Sequence, residues 1–171
     1  MKLNLYHVTK KESIKSILDE GFRYTGENTS QMGEGICFTD WEELYFWADH
    51  LNRWEVLEVT IKLDENEIIT KKNFNEDKFK EWCFDNDYLE EIEEGLQWTD
   101  RANDLVEFSL EIEGFLRSLY AKENGYKAIN GYNQLVVFDN DCIVEVKKHS
   151  TIDKNFSIED YQESTLLEEV E

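Results

Sequence analysis

Leu57, Val59, Ile61 and Leu63 alternate with Glu58, Thr60 and Lys62, and this run constrains the chain more than any other. An apolar residue at every second position makes a half-buried strand, with one face against a core and one in water. Such a strand needs partners, and the other strand-like runs are far away in sequence. Leu3, Leu5 and His7 alternate with Asn4 and Tyr6 at the N-terminus, ICFT follows at 36–39, and YKAIN, QLVVFD and CIVEV fill the last third. Pairing therefore has to reach across the whole chain.

Helical signals fill the gaps. Thr9 and Glu12 have the T-x-x-E spacing of a capping box, Ile14, Ile17 and Leu18 follow at helical intervals, and Gly21 is a stop. The polar stretch TGENTSQMGEG at 25–35 has the composition of a loop. Trp41 to Asn52 reads as a helix with Leu44, Trp47, Ala48 and Leu51 on one side. From 64 to 124 long Glu-rich helical patterns dominate, carrying about half of the net negative charge. Their aromatics, Phe79, Trp82, Phe84, Tyr88, Trp98, Phe108, Phe115 and Tyr120, have the spacing of a small core. The order β-α-β-α-β, helices, then β-β-β predicts an α+β domain with a mainly antiparallel split sheet. That domain spans 1–150 with an acidic helical insertion at 64–124, and 151–171 reads as a loose acidic tail.

Charge narrows the partners. The chain has 39 acidic against 18 basic residues, a formal net charge of −21, which opposes direct binding to nucleic acid phosphates. No apolar run reaches membrane-spanning length and the first residues lack a signal-peptide core, so the expectation is a cytoplasmic protein without membrane contact. Cys37, Cys83 and Cys142 form no C-x-x-C pair, and His7, His50 and His149 have no H-E-x-x-H spacing. The string DNDYLEE from Asp85 opens like a calcium loop but lacks the glycine that its sixth position requires. No metal is expected.

Four blocks remain to choose a chemistry. LYHVT at 5–9, GEGICFTD at 33–40, WADHLNRWEVLEVTIKL at 47–63 and GYNQLVVFDNDCI at 131–143 occur in fixed order. Together they resemble the ADP-ribosyltransferase fold of the diphtheria-toxin and poly-ADP-ribose-polymerase branch, whose triad is His, Tyr and Glu. The resemblance implies an ADP-ribosyltransferase-like split antiparallel sheet with flanking helices; the 64–124 insertion lies outside it.

Carried over to this chain, the resemblance implies that His7 hydrogen-bonds the adenosine ribose of NAD and that the Val8 backbone meets the nicotinamide amide. Thr9 and Gly35, in the same blocks, fall to the cofactor as well. The tyrosine position falls on Cys37 and the glutamate position on Gln134, so two signature residues differ. Tyr45 or Trp47 could supply the second aromatic that sandwiches the nicotinamide. A neutral Gln134 cannot counter the oxocarbenium charge as a carboxylate does, and losing such a preorganised group costs about two to three powers of ten in rate. Polymer synthesis is therefore not expected. Asp139, Glu111 and Glu113 are the other carboxylates to weigh, and the last two read as solvated helix charges.

Each residue also has a plainer reading. His7 beside two leucines can be a packed ring, Cys37 a small buried hydrophobe, and Gln134 a polar strand start. Two functions follow. One is NAD-dependent mono-ADP-ribosylation of a basic, nucleic-acid-binding protein target, as among phage-encoded inhibitors of bacterial defence such as anti-CRISPR proteins, which the chain is similar to in size, acidity and closing pattern. The other is a catalytically inactive acidic binding protein on the same fold.

Overall fold

A computed structural model of the chain describes residues 1–23, 35–104, 112–131 and 134–153. The 25–34 loop, Phe108, Glu111 and the tail from 154 lie outside the described residues. The chain divides into two units, one of Met1–Arg23, Phe38–Leu63 and Asn140–Glu171, the other of Tyr24–Cys37 and Asp64–Asp139. The fold is α+β with mostly antiparallel pairing, as the alternation of strand and helix signals predicts.

In the first unit β1 (Lys2–Thr9), β3 (Glu55–Lys62) and β9 (Ile143–Thr151) form a three-stranded antiparallel sheet with β3 in the middle. The inner face is built rung by rung: Leu3 opposite Ile61 and Ile143, then Leu5 opposite Val59 and Val146. The expectation of a half-buried β3 needs correcting. On the face predicted to be wet, Lys62 is exposed and Glu58 half-buried, but Thr60 is 5% exposed, and Val56, in the same phase, is 0% exposed. The cause at Val56 is α2 (Leu44–Leu51), which lays Leu44, Tyr45 and Ala48 on Val8 and Val56. Burying a valine in this way is worth about 1.5–3 kcal/mol.

Helix α1 (Ile14–Glu20) ends as predicted at Gly21, whose φ of 80° is a conformation that L side chains rarely adopt. Its start differs. Thr9 is the last residue of β1, paired with Glu55, and a single 3-10 turn at Lys11–Ser13 leads into the helix with no side-chain cap. The ladder takes Thr9 before a capping box can.

In the second unit β2 (Ile36–Phe38), β8 (Gln134–Val137), β7 (Ala128–Gly131) and β4 (Ile68–Ile69) form a sheet in that order, with β4 parallel to β7. Helices α3 (Glu76–Asp85) and α5 (Ile112–Glu123) build its core. Phe79, Cys83, Tyr88, Leu116 and Tyr120 pack with Ile69, Ile129 and Val136, so most of the predicted small core is real and is shared with the late strands. Arg117 ties the helices together, pairing with Glu113 and with Glu76 at 2.7 Å while its guanidinium lies 4.3 Å from the Phe74 ring.

The helical reading of 64–124 gives way in the middle. Residues β5 (Leu89–Ile92) and β6 (Gly95–Trp98) form an antiparallel hairpin, followed by the short α4 (Asp100–Asp104). A helix here would set Glu90, Glu91, Glu93 and Glu94 three and four residues apart, where like charges repel. Gly95, at φ 134°, takes a turn conformation that few side chains allow.

Before β4, Asp64 and Glu67 close a reciprocal capping box, and Glu67 also takes the Lys127 ammonium at 2.7 Å. The Asp64 backbone N–H, then Lys127, hold the Glu67 carboxyl below the usual carboxylate range. A depressed folded-state pKa gives stability that is present above the unfolded value and lost as pH falls through the folded one. Denaturant titrations should therefore show stability falling as pH drops below the ordinary carboxylate range, with a shallower slope in Glu67→Gln.

Candidate functional site

The inner face of the first sheet changes character at one end. Past the Leu5 rung comes His7 opposite Leu57 and Lys148, and then Thr9 opposite Glu55 and Thr151. An apolar stripe thus closes on a histidine, a lysine, a glutamate and two threonines.

His7 is half-buried, its ring edge-on to Phe22 with centroids 4.9 Å apart and tilted on Phe38 at 5.9 Å. Phe22 and Phe38 touch each other edge-to-face at 5.3 Å. Phe22 is set there by the Gly21 turn and by Asn140, whose side-chain amide donates to the Phe22 carbonyl at 2.8 Å. Each aromatic contact of this type is worth about 0.5–1.5 kcal/mol. Across the sheet, on the other face, Tyr6 sits opposite Glu58, and partial burial followed by that carboxylate raises its phenol pKa.

Glu55 is 8% exposed. Its Oε2 accepts from the Thr151 hydroxyl at 2.9 Å and pairs with the Lys148 ammonium at 3.3 Å. An open cleft of about 740 Å³ lies over this rung, lined by the end of β1, the turn from α2 into β3 and the end of β9. That turn is made by Asn52, left-handed at φ 50°, with the Arg53 N–H reaching back to the Ala48 carbonyl at 2.9 Å. It delivers Arg53 and Trp54 to the cleft wall, and the Trp54 indole donates to the Asn52 side chain at 2.9 Å.

The residues assigned by resemblance fall into both units. His7, Val8, Thr9, Tyr45 and Trp47 belong to the first; Gly35, Cys37 and Gln134 belong to the second. Val8 and Tyr45 are buried in the contact between β1 and α2. Trp47 is half-buried, edge-on to Phe46 at 5.0 Å, and its indole nitrogen is shielded from solvent without an acceptor among the described residues. Gly35 lies against β8: a Cβ there would stand 2.4 Å from Val136 Cγ1 and 3.0 Å from the Val137 carbonyl. Cys37 packs partly buried against the second core, and Gln134, 8% exposed, opens β8, the neighbour of β2. Of the other carboxylates, Glu113 is held by Arg117, and Asp139 lies 3.9 Å from the Lys127 ammonium.

Glu55 escaped the sequence reading although a signal was present. It stands in phase with Leu57, Val59, Ile61 and Leu63, so a charge occupies a core-facing strand position. Among the described residues no group of three or more His, Cys, Asp and Glu is placed to hold a metal, and no helix is long and apolar enough to cross a membrane. Comparison with protein-family models, curated proteins and solved structures finds no match.

Two outcomes test these placements. Gly35→Ala must push Val136 or the β8 backbone aside, and overpacking of this kind should cost about 1–3 kcal/mol in chemical denaturation. Burial, and then Glu113, push the Cys83 thiol up to about 12, and Cys142 is buried. Under native conditions at mildly alkaline pH a maleimide should therefore label Cys37 first, with Cys83 reacting only on unfolding.

Proposed function

We propose that this chain is an ADP-ribosyltransferase-like protein that binds NAD and transfers a single ADP-ribose to a basic protein target. One observation carries the reading. The positions that the resemblance gives to the triad's tyrosine and glutamate, Cys37 and Gln134, lie on the neighbouring strands β2 and β8, although nearly a hundred residues separate them in sequence. Juxtaposed strands are what a shared site requires, and a chance match of short strings would not demand them. The close contact of Gly35 with β8 supports the same pairing, because a larger residue in the glycine-rich block would hold the strands apart. His7 sits at the end of an apolar strand with its ring held by two phenylalanines, which fixes its orientation. A fixed imidazole can hydrogen-bond a ribose without losing rotamer freedom.

A second reading has its own support. Gln134 is neutral and Tyr45, on α2, is buried in the core with Val8 and Val56, so neither offers what the family's catalysis draws on. On this reading the chain is a catalytically inactive acidic protein whose charge of −21 recognises a basic, nucleic-acid-binding partner and occludes it. A phage-encoded inhibitor of a bacterial defence system suits either reading.

Calorimetry with NAD, followed by mass spectrometry for ADP-ribose on proteins of a bacterial lysate, separates them. Binding with transfer supports the enzyme, and binding without transfer supports the inactive form. His7→Phe keeps the aromatic packing and removes the ring nitrogens, so it should abolish NAD binding in a chain that still folds; an unchanged dissociation constant would sink the NAD assignment. Gln134→Glu should raise NAD turnover by about two to three powers of ten if the site is an ADP-ribosyltransferase that lost its carboxylate.

A further inference from the structure

The cleft over the Thr9, Glu55 and Thr151 rung contains chemistry that the assignment around His7 does not use. Glu55 is more than nine-tenths buried, yet it borders the cleft, and Oε2 alone takes both of its contacts, from Thr151 and Lys148. Its second carboxylate oxygen makes no hydrogen bond or ion pair among the described residues. A carboxylate oxygen with acceptor capacity to spare, on a largely buried side chain at the edge of a cleft, suits a ligand hydroxyl.

Around it the surface is far less acidic than the chain as a whole. Three cations, Lys10, Lys11 and Arg53, line the cleft beside three acids, Glu12, Glu55 and Asp153, and Lys148 pairs with Glu55, in a chain of net −21. On an otherwise acidic protein, a patch where cations match the acids admits an anion that the rest of the surface repels. Trp54 adds an indole to the wall, a surface on which a sugar or a base can lie. The volume of about 740 Å³ falls within the usual range for small-molecule sites.

A hydroxyl acceptor, an aromatic wall and a group of cations in one cleft match the three parts of a ribonucleotide: its ribose, its base and its phosphates. We infer that this cleft binds a ribonucleoside diphosphate, with Glu55 accepting from a ribose hydroxyl, Lys10, Lys11 and Arg53 meeting the phosphates, and Trp54 lying against the base. The inference does not depend on the NAD reading, and none of these five residues belongs to the set assigned around His7.

The test is calorimetric titration of the full chain with ADP, inorganic pyrophosphate, and the 2′-deoxy and 3′-deoxy forms of ADP. ADP should bind saturably, one deoxy form should bind about tenfold more weakly for want of a charge-assisted hydrogen bond, and pyrophosphate should be weaker than ADP. Arg53→Gln and Lys11→Gln should weaken ADP about fivefold or more. Glu55→Gln should abolish the preference for ADP over its deoxy form; if that variant fails to fold by circular dichroism, the deoxy comparison on the unaltered chain decides the point. The inference is overturned by absence of saturable binding at millimolar ADP or by equal affinity in the charge variants.

Discussion

The first unit depends on the burial of β3 between two neighbouring strands and beneath a helix. Leu57, Val59 and Ile61 face the core through one side of the strand, and Val56 meets α2 through the other. Pairing on both edges satisfies the backbone of β3, so the strand can sit in an apolar setting without unpaired amides. The rest follows from this position. Strand β1 is held in the register that sets His7 beside Leu57, and β9 in the register that brings Lys148 and Thr151 to Glu55. A slip of one residue would turn His7 to the opposite face.

A polar group at the end of such a stripe is costly unless it is matched, and Glu55 shows how the cost is met. Its side chain is largely removed from water, and a hydroxyl and an ammonium both reach one of its oxygens. Replacing the pair with apolar residues of similar volume is often neutral or stabilising, so stability alone does not explain retaining a buried ion pair. Its place on the edge of a cleft supplies a functional reason. His7 is the contrasting case, since its contacts with Phe22 and Phe38 would be served nearly as well by another aromatic ring. Only ligand binding separates a packing role for that imidazole from a recognition role.

The second unit rests on aromatic packing. Phe79, Trp82, Tyr88 and Tyr120 meet edge-on, tilted or stacked, and the charge of Arg117 is spent on two glutamates and a phenylalanine face rather than on solvent. This arrangement lets a strongly acidic segment fold, because the apolar area buried inward offsets the repulsion among carboxylates on the outside. The hairpin of β5 and β6 carries Glu90, Glu91, Glu93 and Glu94 exposed to solvent, with the chain doubled back instead of wound into a helix.

The sequence by itself determined the class of fold, the strands at both ends and the stop at Gly21, because period-two alternation and a left-handed glycine are local properties that neighbours rarely overturn. It also exposed the phase of β3 from Leu57 onward, whereas the glutamate at position 55 that continues this phase stood out only in the structure. Tertiary structure decided what depends on which element lies opposite: that the second face of β3 is buried at Val56 and Thr60, that Thr9 joins a ladder instead of capping a helix, that β8 lies between β2 and β7, and that Glu90 to Glu94 turn in a hairpin. Each was settled by contacts between residues distant along the chain, and no local pattern encodes the energy of such contacts.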